Sequence, residues 1–278
     1  MRHLQRTDER VRRGAAIPYA DDPSTPEAAT AAAEHLIGEL SKNRRRTGND
    51  RGRVMVVGDS QAQSLAFGLE RWTIANDGPT VWNAGVGGCG LVAGGEVIAV
   101  ESGVFGPPSE NCDEVLDGWA AGVESFRPDR VLVLTSIRDL QPRRLDGWPE
   151  VLHYGDEAFD AHVLTAYEEA VDRLTATGAE VMWLAPPCLT APGFGYTGPG
   201  TPLEPAATDH LSDVVLAELV RRRPEVDLYP LDDLLCPDGE PRSAPEGVGD
   251  LRPDGIHLSA EGSGWVADRI GADLLGRP

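Results

Sequence analysis

Three residue types that could do nucleophilic chemistry stand at telling places in this chain. Ser60 follows "RVMVVGD", where an apolar run, Val54 to Val57, stops at Gly58-Asp59-Ser60 and a helical pattern begins. His257 lies near the carboxyl end, in "RPDGIHLSAEG", three residues after Asp254. A serine hydroxyl is a weak nucleophile until a base takes its proton, and that base must itself be oriented. Of the six histidines (His3, His35, His153, His162, His210 and His257), His257 alone has an aspartate three residues before it. A D-x-x-H loop ahead of a last helix lets the carboxylate accept from one ring nitrogen while the other faces the hydroxyl.

Each feature also has a plainer explanation. Ser60 would make a good helix N-cap. Asp59 reads as a structural acid bonding loop amides, and Asp254 as a turn residue after Pro253. His153, in "EVLHYGDEAFD", reads as a surface-loop residue. Gly87 and Gly88 suit an ordinary turn as well as the close backbone approach that an oxyanion site requires. The joint occurrence of G-D-S at the first strand's end and D-x-x-H before the last helix favours a nucleophile and its base.

The elements that must position these groups are legible from periodicity. Apolar, β-branched runs occur at Val54 to Val57, Thr80 to Ala84, Arg130 to Thr135, Glu180 to Ala185 and Val226 to Leu231. Helical patterns lie between them, near Gln61 to Trp72, Asp113 to Phe126, Glu157 to Thr177 and Ala206 to Arg223, with a last one from Ala260 to Leu275. Strands of this kind, each followed by an amphipathic helix, predict an α/β fold with a parallel sheet of about five strands covered on both faces. Ligands bind such sheets at the strands' carboxyl ends, where Gly58-Asp59-Ser60 would sit. Ahead of the sheet, residues 1–23 read as a tail. Ser24-Thr25-Pro26-Glu27 reads as a capping box opening an alanine-rich helix to about Leu40, and an Arg-rich linker follows. The expected division is residues 1–52 as an extension and 53–278 as the domain. The Gly- and Pro-rich segments Ala93 to Asn111 and Pro186 to Pro205 are expected to shape a cleft.

Composition narrows the function. The net charge is −20 over 278 residues. Residues 1–53 hold 11 Arg/Lys against 8 Asp/Glu, and the remainder 14 against 37. So acidic a body repels phosphate backbones, which argues against nucleic acid as a partner; the run Lys42 to Arg46 reads as a solvated helix end. No apolar run approaches the ~20 residues of a membrane span, and "MRHLQRTDERVRRG" lacks a signal peptide's apolar core. Direct membrane insertion is therefore not expected. Cys89, Cys112, Cys188 and Cys236 form no CxxC motif, so no metal site is expected. Their even number suits disulfides and an exported domain, which conflicts with the missing signal. Localisation is left as two expectations: extracytoplasmic if the cysteines are bonded, cytoplasmic if the amino terminus is native as written.

Taken together, Gly58-Asp59-Ser60, the N-x-x-x-x-G spacing from Asn83 to Gly88, and Asp254 to His257 resemble the blocks of the SGNH (GDSL-like) hydrolase family. The stretches "NAGVGGCGLVAGG", "FRPDRVLVLTSIRDLQPRR", "GDEAFDAH", "LAPPCL" and "LLCPDG" are similar to SGNH domains attached to actinobacterial acyltransferase-3 proteins. The resemblance implies a three-layer α/β/α, flavodoxin-like fold. It implies a serine esterase or O-acyltransferase working on short O-acyl esters of a glycan or hydroxylated metabolite without a cofactor, with a membrane acyltransferase as a possible partner. It assigns Ser60, His257 and Asp254 to a catalytic triad, and the backbone N–H groups of Ser60 and Gly88 to the oxyanion. It pairs Cys89 with Cys112 and Cys188 with Cys236. One block departs: where the family has G-x-N-D, this chain has Ser136-Ile137-Arg138-Asp139. Either Arg138 supplies a cationic oxyanion donor in place of the Asn or it pairs with an acid and the backbone donors act alone. The departure also motivates alternatives: a non-catalytic acceptor-binding domain partnering a membrane acyltransferase, or a soluble tailoring enzyme.

Overall fold

The structure of the protein is a computed structural model that describes residues 23–47, 52–108, 112–190, 195–196 and 198–276. Most of the expected tail and residues 48–51 of the expected linker lie outside the described residues. The first helix, α1 (Pro26–Thr47), runs beyond Leu40 through the Lys- and Arg-rich stretch read as linker. Lys and Arg are good helix formers and favour a helix's carboxyl end, so that composition extends the helix rather than stopping it. Thr25 caps the first turn by accepting from the Ala28 N–H at 3.3 Å. Ala29, Ala32 and Ala33 are buried in the core that the sheet and α3 (Val115–Phe126) share, so α1 packs onto the domain.

Five strands, β1 (Arg53–Gly58), β2 (Thr80–Asn83), β5 (Arg130–Leu134), β7 (Glu180–Leu184) and β8 (Val226–Tyr229), form a parallel sheet in the order β2-β1-β5-β7-β8. Alternation divides their side chains between two cores. Met55, Val57, Val131 and Val133 face one, with α3 and α4 (Glu157–Leu174). Val54, Val56, Leu132 and Leu134 face the other, with α2 (Ser60–Asn76) and α8 (Ala260–Leu275). The fourth covering helix is read correctly in extent and differs in kind: α5 (Pro205–His210) and α6 (Ala217–Arg222) flank a π-helical stretch, Leu211–Leu216. A short helix, α7 (Leu231–Leu235), follows β8.

The segment expected to be cleft loop holds two short strands, β3 (Glu96–Ile98) and β4 (Phe105–Gly106), which join β6 (Arg143–Arg144) from further along the chain in a small antiparallel sheet of order β4-β3-β6. Strands of two or three residues leave no readable period, which is why sequence patterning misses them.

The sheet order reverses direction at β1 and β5. In an open parallel sheet that switch point leaves a crevice beyond the strands' carboxyl ends. Residues 59–60 leave β1 there and residues 135–139 leave β5, so topology alone brings Ser60 and the departed block to one place. Gly58 is what lets β1 turn so close to its neighbour: its φ is +131°, and a Cβ there would lie 1.8 Å from the Leu134 carbonyl oxygen.

Helices α2 and α8 also touch backbone to backbone. A Cβ on Gly68 would lie 2.1 Å from the Ser263 carbonyl oxygen, whereas Gly264, one residue on, has nothing within 4 Å. Gly68→Ala is therefore expected to destabilise by roughly 1–3 kcal/mol through overpacking. Gly264→Ala should stabilise by about 0.5–1 kcal/mol by removing a mid-helix glycine. Thermal unfolding of the two variants checks the opposite signs.

Candidate active site

At the β1–α2 turn, helix capping and chemistry fall to different residues. Asp59, not Ser60, is the N-cap: its Oδ1 accepts from the Gln61 N–H at 2.8 Å, and its Oδ2 from the Ser136 N–H at 3.4 Å. Ser60 is thus the first helical residue, its hydroxyl free of the cap. That hydroxyl lies 2.7 Å from His257 Nε2, across 197 residues of sequence. On the ring's far side Nδ1 lies 2.6 Å from Asp254 Oδ2. A carboxylate only accepts, so Nδ1 carries the proton and Nε2 accepts from the Ser60 hydroxyl.

The Asp254 carboxylate is itself held. Its Oδ1 accepts the backbone N–H groups of Ile256 at 2.9 Å and His257 at 2.7 Å. Burial works against its charge, but the His257 ring and these two amides outweigh burial and hold its pKa below the usual carboxylate value. Asp254 is then ionised at neutral pH and stabilises an imidazolium when one forms.

The D-x-x-H loop reaches Ser60 through local geometry. Gly255 has φ +78°, and a Cβ there would lie 1.2 Å from the Thr190 carbonyl oxygen, so only glycine lets the loop pass the β7 exit. The Leu258 N–H donates to Ser64 Oγ at 3.2 Å, docking the loop one turn along α2 from Ser60. Two residues ahead of Asp254, buried Arg252 donates to the Cys188 carbonyl at 2.5 Å and rests against both sulfurs of the Cys188–Cys236 disulfide. Sequence reading overlooks Arg252, because its partners come from two other loops.

Gly87 and Gly88 line the opposite side. A Cβ on Gly87 would stand 4.0 Å from the Ser60 Cβ, and one on Gly88 would stand 3.8 Å from Arg138 Nη2. Cys89, the next residue, is bonded to Cys112. Both disulfides therefore follow the pairing expected from the resemblance, and among the described residues no free cysteine remains. Arg138 has its guanidinium engaged: Nη2 is ion-paired with Glu101 Oε1, and Nη1 lies 3.4 Å from Oε2. The acid it pairs with is thus Glu101 and not its neighbour Asp139, whose carboxyl is spent on Leu91, Val92, Thr135 and Tyr167. Glu101 lies in the β3–β4 hairpin and carries no motif. His153 stands away from these groups, its Nδ1 2.9 Å from the Tyr154 carbonyl and its ring against Gly200. Among the described residues no group of His, Cys, Asp and Glu is arranged to hold a metal, and no helix is long and apolar enough to cross a membrane.

A serine hydroxyl, an imidazole and a carboxylate thus stand aligned at the switch point of a parallel α/β/α sheet. Residues 27–272 match the model of the family described as "SGNH domain (fused to AT3 domains)", and the chain belongs to that family. It is an SGNH-type ester hydrolase or acyltransferase. Among solved structures it is similar to the periplasmic domain of a lipopolysaccharide acetyltransferase from Salmonella ser. Paratyphi A, at 12% identity and TM-score 0.53, covering 84% of this chain and 87% of that one. It is also similar to a protein from Streptococcus pneumonia (14% identity, TM-score 0.55, 89% and 92% covered) and to an acetyl xylan esterase (17%, TM-score 0.50, 80% and 99% covered). At these identities the likeness is one of fold. No curated protein sequence matches the chain significantly.

Burial, with the charge of Asp139 adding to it, pushes the Asp59 pKa from 3.8 up to about 6, against the bonds it accepts from backbone N–H groups. A carboxyl whose pKa is raised by folding binds more protons folded than unfolded between those two values. Its contribution to stability is present at low pH and is lost as pH rises through that window. The loss is about 3 kcal/mol. Asp59→Asn does not titrate, so its stability relative to the native protein should improve by about that much between acid and neutral pH. Urea unfolding at the two pH values reads the difference.

Proposed function

We propose that the protein transfers short acyl groups through a covalent acyl-Ser60 intermediate, on O-acyl esters of a glycan or hydroxylated metabolite. The observation that carries this reading is the unbroken chain Ser60 Oγ–His257 Nε2–Nδ1–Asp254 Oδ2, with contacts of 2.7 and 2.6 Å. Ser60 Oγ attacks the ester carbonyl carbon as its proton passes to His257 Nε2, and Asp254 stabilises the resulting imidazolium. The carbonyl oxygen, now an anion, is held by the backbone N–H groups of Ser60 and Gly88. Collapse expels the alkoxide, which takes the proton from Nε2. Water or an acceptor hydroxyl then attacks the acyl-enzyme with His257 as base, restoring Ser60. Water makes the reaction an esterase, and an acceptor hydroxyl makes it an O-acyltransferase.

The family's third oxyanion donor is absent, since Arg138 replaces its Asn and is tied to Glu101. Losing one such donor typically costs about 2.7–4 kcal/mol of transition-state stabilisation, so turnover of simple esters should be slow and the acyl-enzyme long-lived. The same replacement favours a second reading, an acceptor-binding domain that partners a membrane acyltransferase without forming an acyl-enzyme.

Incubation with p-nitrophenyl acetate is expected to release a burst of nitrophenolate and to add one acetyl group to Ser60, seen by peptide mass spectrometry. Ser60→Ala should abolish both. Asp254→Asn should lower the rate on the order of 10⁴-fold, as when the orienting carboxylate of a triad is lost. An unlabelled Ser60 at saturating ester, with glycan binding intact in Ser60→Ala, would select the second reading instead.

A further inference from the structure

The Arg138–Glu101 pair stands at the site yet takes no part in the steps above. Arg138 flanks the turn that carries Gly88, and its side chain keeps 27% of its exposure while that of Glu101 keeps 48%, so a ligand can reach both. The two oxygens of Glu101 face the two terminal nitrogens of Arg138, the fork that a guanidinium otherwise offers to a ligand carboxylate. Burial of Glu101 opposes its charge, but hydrogen bonding and attraction from Arg138 prevail and keep its pKa below the usual value.

Neither partner is placed by chance. Val100 and Ile137, the residues just before each, are buried together against Leu189 and Ile256. The Glu101 carbonyl accepts the Gly195 N–H at 3.1 Å, and the Val100 carbonyl accepts the Tyr196 N–H at 3.0 Å. The Arg138 carbonyl accepts from Arg143 Nη2 at 3.3 Å. Both backbones are thus fixed on one apolar cluster, and the pairing is preorganised.

We propose that Glu101 is a specificity-determining residue: it fills the anion-binding face of Arg138, so that the site takes neutral acyl esters and turns away acyl groups that carry a carboxylate. A charge fixed within the chain competes at high effective concentration, and a substrate carboxylate must displace it and also approach its negative field. Removing the charge of Glu101 opens the fork to dicarboxylic half-esters. The kinetic form of this inference rests on the acyl-enzyme reading above; its binding form does not.

Two measurements test it. The first compares kcat/KM for p-nitrophenyl hydrogen succinate with that for p-nitrophenyl acetate. Glu101→Gln should raise the ratio about five- to tenfold, the scale of one partly exposed charge-assisted contact. Glu101→Gln with Arg138→Gln should return it to near the native ratio. An unchanged ratio in Glu101→Gln, or an equal rise in the double variant, would overturn the proposal. The second measures succinate binding by NMR titration in the Ser60→Ala background, where no turnover is needed. Glu101→Gln should tighten it by a similar factor, and adding Arg138→Gln should remove the gain; no tightening overturns the proposal by itself. Succinate binding that follows this pattern in a protein inert toward both esters would instead sink the acyl-enzyme reading and leave the role of Glu101 standing.

Discussion

A single buried carboxyl group, that of Asp139, joins the parts on which the rest of the site is built. Its Oδ1 accepts the N–H groups of Leu91 and Val92 at 2.7 and 2.8 Å, and its Oδ2 accepts the hydroxyls of Thr135 and Tyr167. Burial raises the Asp139 pKa against these donors and against the charge of nearby Arg143. Arg143, itself buried, spreads its Nη1 over the carbonyls of Val92, Ala93 and Gly94 and gives Nη2 to Arg138. Two charged groups taken out of water must find such partners, because an unpaired buried charge costs several kcal/mol. Satisfying them forces the turn after β2, the end of β5 and helix α4 into one arrangement. Gly90 is part of the fit: a Cβ there would lie 2.1 Å from Asp139 Oδ1. The turn that carries Gly87 and Gly88 is thus seated on a polar core.

The opposite wall of the site is placed by a different device. Arg252 loses much of its hydration on burial, which lowers its pKa, and it recovers contacts from the Cys188 carbonyl and the disulfide sulfurs. Asp254 follows two residues later and accepts the amides of its own turn. The histidine therefore approaches Ser60 from a loop whose backbone has little freedom, while α8 packs behind it against α2. Capping completes the division of labour. Had Ser60 served as N-cap, its hydroxyl would have been drawn toward a backbone N–H and away from the imidazole. Asp59 takes that bond and leaves the hydroxyl to His257.

How much of this was legible in the sequence follows from the range of each interaction. The five strands and the covering helices rest on local periodicity, and α8 lies where that periodicity puts it, Ala260–Leu275. Ser60, Asp254 and His257 could be singled out because two of them share a short spacing and the third sits on a recognisable strand end. The carboxyl end of α1 is poorly marked because an Arg-rich stretch reads equally as a solvated helix end and as a linker; the helix runs to Thr47. The β4-β3-β6 sheet, the buried pair of Arg143 with its carbonyls, and the partner of Arg138 were not legible. Each depends on residues tens of positions apart that have no common motif, and Glu101 looks like any other surface acid until the hairpin is folded.

The disulfides join what holds the fold to what holds the site. Two apolar cores enclose the sheet, and a domain of this size buries enough surface to fold on that basis. Cross-links spanning 23 and 48 residues each add about 3–4 kcal/mol if loop entropy in the unfolded chain is the whole effect. Yet neither joins the sheet's strands to its helices. One anchors the residue after Gly88, and the other anchors the loop that receives Arg252. Both lie at the carboxyl ends of strands, where loops are long and the regular hydrogen bonding of the sheet has ended. A site assembled from four such loops needs each held to within a fraction of an ångström if a proton is to pass between Ser60 and His257. Cys89, Cys188 and Cys236 are buried with the two cores, so these cross-links tie the loops around Ser60 and His257 to the packed interior, and covalent restraint there serves geometry as well as stability.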